Sequence, residues 1–127
     1  MQDSIFTKII NGEIPCHKIY EDDKTFAFLD IYPTSPGHTL VIPKIQVDKI
    51  YDLPDDYYVA VFETGRKLAK NMEKVLGKRT FYKVMGIDVP HAHLHLISEG
   101  YTHDRSELEQ SSDQGLAEMA KKLRLDD

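Results

Sequence analysis

At 127 residues, 41% hydrophobic and 29% charged, the chain has the size and composition of one globular domain with its own core, and it lacks the bias of a disordered sequence. A formal net charge of −5 argues against a sequence-independent grip on a nucleic-acid polymer, which needs clustered Lys and Arg to displace counterions. One cysteine, Cys16, rules out an internal disulfide and reads as a small buried thiol; with no signal-like N-terminus and nothing near the ~20 apolar residues of a membrane span, the expectation is a cytoplasmic protein without a membrane partner.

Residues 4–11 (SIFTKIIN) form a short helix with Ile5, Phe6 and Ile9 toward one side, stopped by Gly12 and Pro15. Residues 17–20 and 25–29 are strands around the acidic turn 21–24, which makes them a hairpin. Two prolines and a glycine mark residues 30–38 (DIYPTSPGH) as a loop that holds Asp30 and His38, before a strand at 39–42. Pro54 opens a long helix in which Tyr58, Val61, Phe62, Gly65, Leu68, Ala69, Met72 and Val75 follow the i, i+3, i+4, i+7 pattern, and Gly77 ends it. Gly65 costs about 1 kcal/mol against Ala inside a helix, which points to a close approach to the sheet. Residues 80–85 and 92–97 complete the strands. Leu116, Met119, Ala120 and Leu123 mark a C-terminal helix over about 112–125, with Ser111 and Gln114 spaced as a capping box. The expected class is α+β: a five-stranded antiparallel sheet, one long helix and a short helix at each end, in a single domain over 1–127. Neither GxGxxG nor the phosphate-binding GxxxxGKS/T loop occurs.

The run VPHAHLHLI raises the chemical question. Alternation along a strand places His91, His93 and His95 on one face and Ala92, Leu94 and Leu96 on the other. A lone histidine is usually a surface or hydrogen-bonded core residue, the reading for His17 and His103; three in register call for more. A zinc site is one alternative, but His91 and His95 would lie roughly 13 Å apart at ~3.3 Å per residue, too far for easy shared coordination. The other is nucleophilic catalysis, in which a neutral imidazole attacks phosphorus and carries the nucleotidyl group while a neighbouring ring assists the phosphate or leaving group.

His91-Ala92-His93-Leu94-His95-Leu96-Ile97 resembles the signature of the histidine triad family, and SIFTKIINGEIP and YEDDKTFAFLDIYPTSPGHTLVIPK are similar to family segments in the same order. The resemblance is strongest to the branch of small nucleoside-phosphoramidate hydrolases. It implies a homodimer whose sheet runs across both subunits, a purine nucleotide substrate of AMP type, no cofactor, and cleavage between the α-phosphate and an amine or phosphate leaving group. By resemblance, His93 is the nucleophile, His95 and His38 contact the α-phosphate and leaving group, and His91 orients His93. Asp30 matches the carboxylate that binds the ribose hydroxyls, although a turn aspartate would look the same; Ile5, Phe6, Ile9, Phe28 and Ile31 match the slot for the base, although each would also serve as core.

Three segments depart from the family pattern. Ser4 and Thr7 stand where many relatives carry a zinc-binding Cys-x-x-Cys. Met85-Gly86-Ile87-Asp88 replaces a longer Gly-rich segment whose Gln donates to phosphate, so Ile87 supplies no donor and Asp88 brings a negative charge that either points away or accepts a proton from the leaving group. Ser98-Glu99-Gly100-Tyr101 lacks the proline-basic pattern of some relatives. The alternatives are a dinucleoside polyphosphate hydrolase, a weakly catalytic nucleotide-binding adaptor, and a metal site built on the histidine row.

Overall fold

In the computed structural model, which describes residues 2–100 and 112–125, the chain opens with helix α1 (Ile5–Ile10). Ser4 caps it by accepting the Thr7 amide at 3.0 Å, and Gly12 follows with φ 80°. Strands β1 (Lys18–Glu21) and β2 (Thr25–Leu29) form the expected hairpin. Asp22 closes its turn: Oδ1 accepts the amides of Lys24 (2.9 Å) and Thr25 (2.8 Å) and the Thr25 hydroxyl (2.9 Å). Then come β3 (Thr39–Pro43), helix α2 (Asp55–Leu76), β4 (Thr80–Val84), β5 (Leu94–Ser98) and helix α3 (Asp113–Leu123). A 3-10 turn at Ile50–Asp52 was not expected from the sequence.

The strands lie in the order β1-β2-β3-β5-β4, all pairs antiparallel. Period-two alternation sorts their side chains into two layers. Ala27, Leu29, Val41, Leu94 and Leu96 pack with Val61, Leu68 and Met72 of α2 and Leu116, Ala120 and Leu123 of α3. Phe26, Phe28, Leu40 and Ile42 face the other way, where α1 covers them with Phe6 and Ile9. At Gly65 a Cβ would stand 2.7 Å from Leu94 Cδ2, so α2 does approach the sheet there as closely as its glycine implies. Gly77 ends α2 with φ 69°.

The structure corrects the reading at several boundaries. β5 begins at Leu94, so Ala92 and His93 precede the strand, as His91 does. The cause is local: Pro90 has no amide hydrogen, the His91 amide turns back to the Val89 carbonyl at 2.8 Å, and the Ala92 amide goes to Val47 at 2.7 Å. In α2, Tyr58 and Val75 are exposed and Thr64 is buried in the stripe, bonded to Thr25 (Oγ1 to Oγ1, 2.8 Å). Ser112, whose Oγ accepts the Gly115 amide at 3.0 Å, caps α3; Ser111 of the expected capping box and His103 fall outside the described residues. Among the described residues no helix is long and apolar enough to cross a membrane.

Candidate active site

A cavity of about 250 Å³ opens between α1 and the α1-facing layer of the sheet. Ile5, Phe6, Ile9, Phe28 and Ile31 supply apolar wall, Asp30 stands at the end of β2, and His93, His95 and Asp88 complete the lining. Phe6 packs edge-on against His93 at 5.1 Å and His91 at 5.8 Å, so the short N-terminal helix is what pins the rings against the wall. Two site candidates stand elsewhere. His91 is fully buried behind His93, and His38, also buried, lines an adjoining hollow of about 490 Å³ that shares Asp30 with the cavity.

The histidine run therefore works in depth as well as along a face. His93 and His95 rings stand 5.1 Å apart, and His38 lies 5.1 Å from His95 on its other side. Asp30 and His38 come together because the loop between them closes on itself, the Asp30 amide donating to the His38 carbonyl at 3.0 Å. Ser35 ties that loop to β5 by accepting the Ser98 amide at 3.1 Å.

Backbone partners dictate where the imidazole protons sit, because a carbonyl only accepts and an amide only donates. His91 Nε2 is 2.9 Å from the Pro43 carbonyl, so it carries the proton and leaves Nδ1 bare. His93 Nδ1 is 2.8 Å from the His91 carbonyl, so it donates there and its Nε2 keeps a free lone pair. His38 Nδ1 accepts the Thr34 amide at 3.2 Å, which puts the proton on Nε2 and directs it to His95 Nδ1 at 2.8 Å. His95 in turn holds its proton on Nε2. One cavity-lining imidazole is thus ordered as a base and its neighbour as a donor. Burial holds His91 below the ordinary imidazole pKa, with the bond to Pro43 opposing it and a charge on His93, when that ring is protonated, lowering it further.

Sequence reading missed the two backbone groups that set this order, Thr34 and Pro43, because a main-chain partner leaves no residue-type signal. It also missed the cavity walls Ile14, Leu40 and Val89. Cys16 is half-buried on the cavity wall rather than enclosed in the core; burial raises its thiol pKa, with Lys18 lowering and Glu21 raising it. The metal alternative changes shape. Asp30, His38 and His95 each offer a ligand atom within 4.8 Å of the others, a grouping that spacing along one strand does not reveal. A cation there would have to displace the proton shared by His38 and His95.

Residues 11–101 match the HIT domain family. The adenosine 5′-monophosphoramidase HNT1 of Saccharomyces cerevisiae is 41% identical over 97 residues, covering 73% of this chain and 60% of the yeast protein. Among solved structures, a HIT-like protein of Bartonella henselae, described as involved in cell-cycle regulation and solved with an unknown ligand, superposes with a TM-score of 0.86 at 34% identity, covering 96% of this chain and 94% of its own. A zinc-bound histidine triad protein of Mycobacterium smegmatis reaches 0.80 at 27% identity, covering 94% and 89%. Since the family match takes in most of the chain, including β1 to β5 and all three histidines of the run, this protein belongs to the HIT domain family.

Proposed function

We propose that the protein is a nucleotide hydrolase that cleaves nucleoside phosphoramidates through a nucleotidyl group on His93, without a cofactor. The observation that carries this reading is the proton order: a bare His93 Nε2 beside a proton-donating His95, both on a cavity that Asp30 also lines. His93 Nε2 forms a bond to the α-phosphorus as the bond from phosphorus to the amine breaks. With the His38–His95 pair protonated, its extra proton leaves with the amine. The nucleotidyl-imidazole keeps its Nδ1 proton on the His91 carbonyl, whose negative end stabilises the ring's positive charge. Water then attacks phosphorus, gives one proton back to the pair and frees His93 with release of the nucleoside monophosphate. The apolar wall suits a purine base, and Asp30 suits the two ribose hydroxyls.

The yeast relative's described activity supports the substrate class. We also infer a cytoplasmic homodimer. β4 is an edge strand, and Tyr82 and Val84 on it lie exposed alongside Tyr58 and Val59 of α2. An edge with no further strand beside it among the described residues, next to exposed apolar side chains, fits pairing with a second copy of the sheet. The deciding experiment is turnover of adenosine phosphoramidate by the intact protein, with and without chelator, followed by mass analysis of a rapidly quenched reaction. One nucleotidyl group on His93, and turnover abolished in His93→Ala with AMP binding retained, are the expected results. Full activity in His93→Ala would refute the mechanism.

A further inference from the structure

Ser4, Thr7 and Gln46 form a polar cluster behind the cavity that the mechanism above does not use. Gln46 Oε1 accepts the Ser4 amide at 2.6 Å and the Thr7 hydroxyl at 2.7 Å, while its Nε2 donates to the Gln2 carbonyl at 2.8 Å. With partners of both kinds, the amide has one orientation. Thr7 has spent its proton on Gln46, so its oxygen, 3.3 Å from both Ser4 Oγ and His91 Nδ1, supplies no donor to the ring. Ser4 Oγ accepts the Thr7 amide and lies 2.8 Å from the bare His91 Nδ1, and that nitrogen takes the hydroxyl proton.

Ser4 and Thr7 stand where zinc-binding relatives carry cysteines, but the donors here do not fit that ion: one imidazole nitrogen, two neutral hydroxyls and an amide oxygen, with no thiolate or carboxylate. We propose instead that Ser4, oriented by Gln46 and Thr7, is a positioning residue for the nucleophile: its hydroxyl holds His91 in the Nε2-protonated form and aims the His91 carbonyl at His93 Nδ1. The chain of contacts is continuous, from Ser4 Oγ to His91 Nδ1 at 2.8 Å and from the His91 carbonyl to His93 Nδ1 at 2.8 Å, with His91 Nε2 anchored on Pro43. Without the hydroxyl, a buried imidazole nitrogen loses its donor, and the ring relieves this by turning or by moving its proton. Either change misaligns the carbonyl that keeps the proton off the attacking nitrogen of His93. The inference rests on the nucleophile assigned to His93 above.

Ser4 also caps α1, which carries Ile5, Phe6 and Ile9 of the cavity wall, so a purely structural role would show as weaker nucleotide binding. Positioning predicts the opposite split. Ser4→Ala should lower kcat for adenosine phosphoramidate about tenfold or more while KM stays within about twofold. Ser4→Thr, which keeps hydroxyl and cap, should restore the rate. In ¹⁵N spectra of the histidine rings, the unmodified protein and Ser4→Thr should show a bare His91 Nδ1 and a protonated His93 Nδ1, and Ser4→Ala a change at both. Should Ser4→Ala not fold, Thr7→Val serves, since it frees Gln46 and should give the same changes in smaller degree. Unchanged kcat, a loss confined to KM, or ring signals identical to the unmodified protein would overturn the proposal. If the unmodified protein does not turn over the phosphoramidate, the functional reading falls separately, and the ring signals alone decide the positioning.

Discussion

Asp30 has two oxygens with different occupations, and this makes Asp30→Asn a sharper test of nucleotide binding than removal of the side chain. Oδ1 accepts the Tyr32 amide at 2.8 Å and so holds the start of the loop, while Oδ2 stands 3.9 Å from His38 Nε2. Asparagine keeps a carbonyl oxygen for Tyr32 and replaces only the second oxygen and the charge. Alanine would open the loop as well. A hydrogen bond to a charged group contributes about 1.5–3 kcal/mol, and at about 1.4 kcal/mol per tenfold this amounts to roughly ten- to a hundredfold weaker binding of AMP. The assay is calorimetric titration of both proteins with AMP and with its 2′,3′-dideoxy analogue. Asp30→Asn should lose affinity for AMP and bind the analogue as the unmodified protein does. Equal losses for both ligands would assign the effect to loop geometry, and no loss for either would remove Asp30 from ribose binding.

Other perturbations read different parts of the structure. Gly65→Ala gains about 1 kcal/mol of helix propensity but drives a methyl to 2.7 Å from Leu94, which is fully buried; overpacking of about 1–3 kcal/mol should win, so thermal denaturation should show a lowered Tm, and a raised one would contradict the close approach. His91 is held below its ordinary pKa of 6.5 by burial, so on acidification the unfolded chain takes up a proton that the folded ring refuses. Its contribution is complete above pH 6.5 and is lost as pH falls, by up to about 1.4 kcal/mol per pH unit until the folded ring titrates; denaturant unfolding that is flat with pH below 6.5 would count against this. Asp88 on the cavity wall repels added phosphates, so kcat/KM should favour adenosine phosphoramidate over diadenosine tetraphosphate, and Asp88→Asn should narrow the ratio in steady-state kinetics at low salt. An unchanged ratio would place the preference elsewhere.

The elements and their two faces were legible in the chain because they follow from short-range pattern. Alternation in TFAFL sends Phe26 and Phe28 to one layer and Ala27 and Leu29 to the other, whatever the rest of the chain does. The stripe on α2 and its stop at Gly77 are equally local. Asp30, His38, His93 and His95, which the structure brings together, were named as candidates from the resemblance carried by the motif and the ordered segments around it. The limit of β5 was not, because pattern continues through Ala92 and His93 while Pro90 and the turn at His91 end the pairing before them.

What tertiary structure decided is the state of each imidazole. The residue types in PHAHLH determine that nitrogen bases are present; they do not say which nitrogen holds a proton. That choice rests on the Pro43 carbonyl, the Thr34 amide and the Ser4 hydroxyl, the last of them 87 positions from His91. Gln46, which orients Ser4, sits between strand and helix in no periodic pattern, and nothing in the sequence links it to a histidine 45 residues on. Folding brings these groups within hydrogen-bond distance, and because each backbone partner can only donate or only accept, their arrangement leaves one proton order for the buried rings.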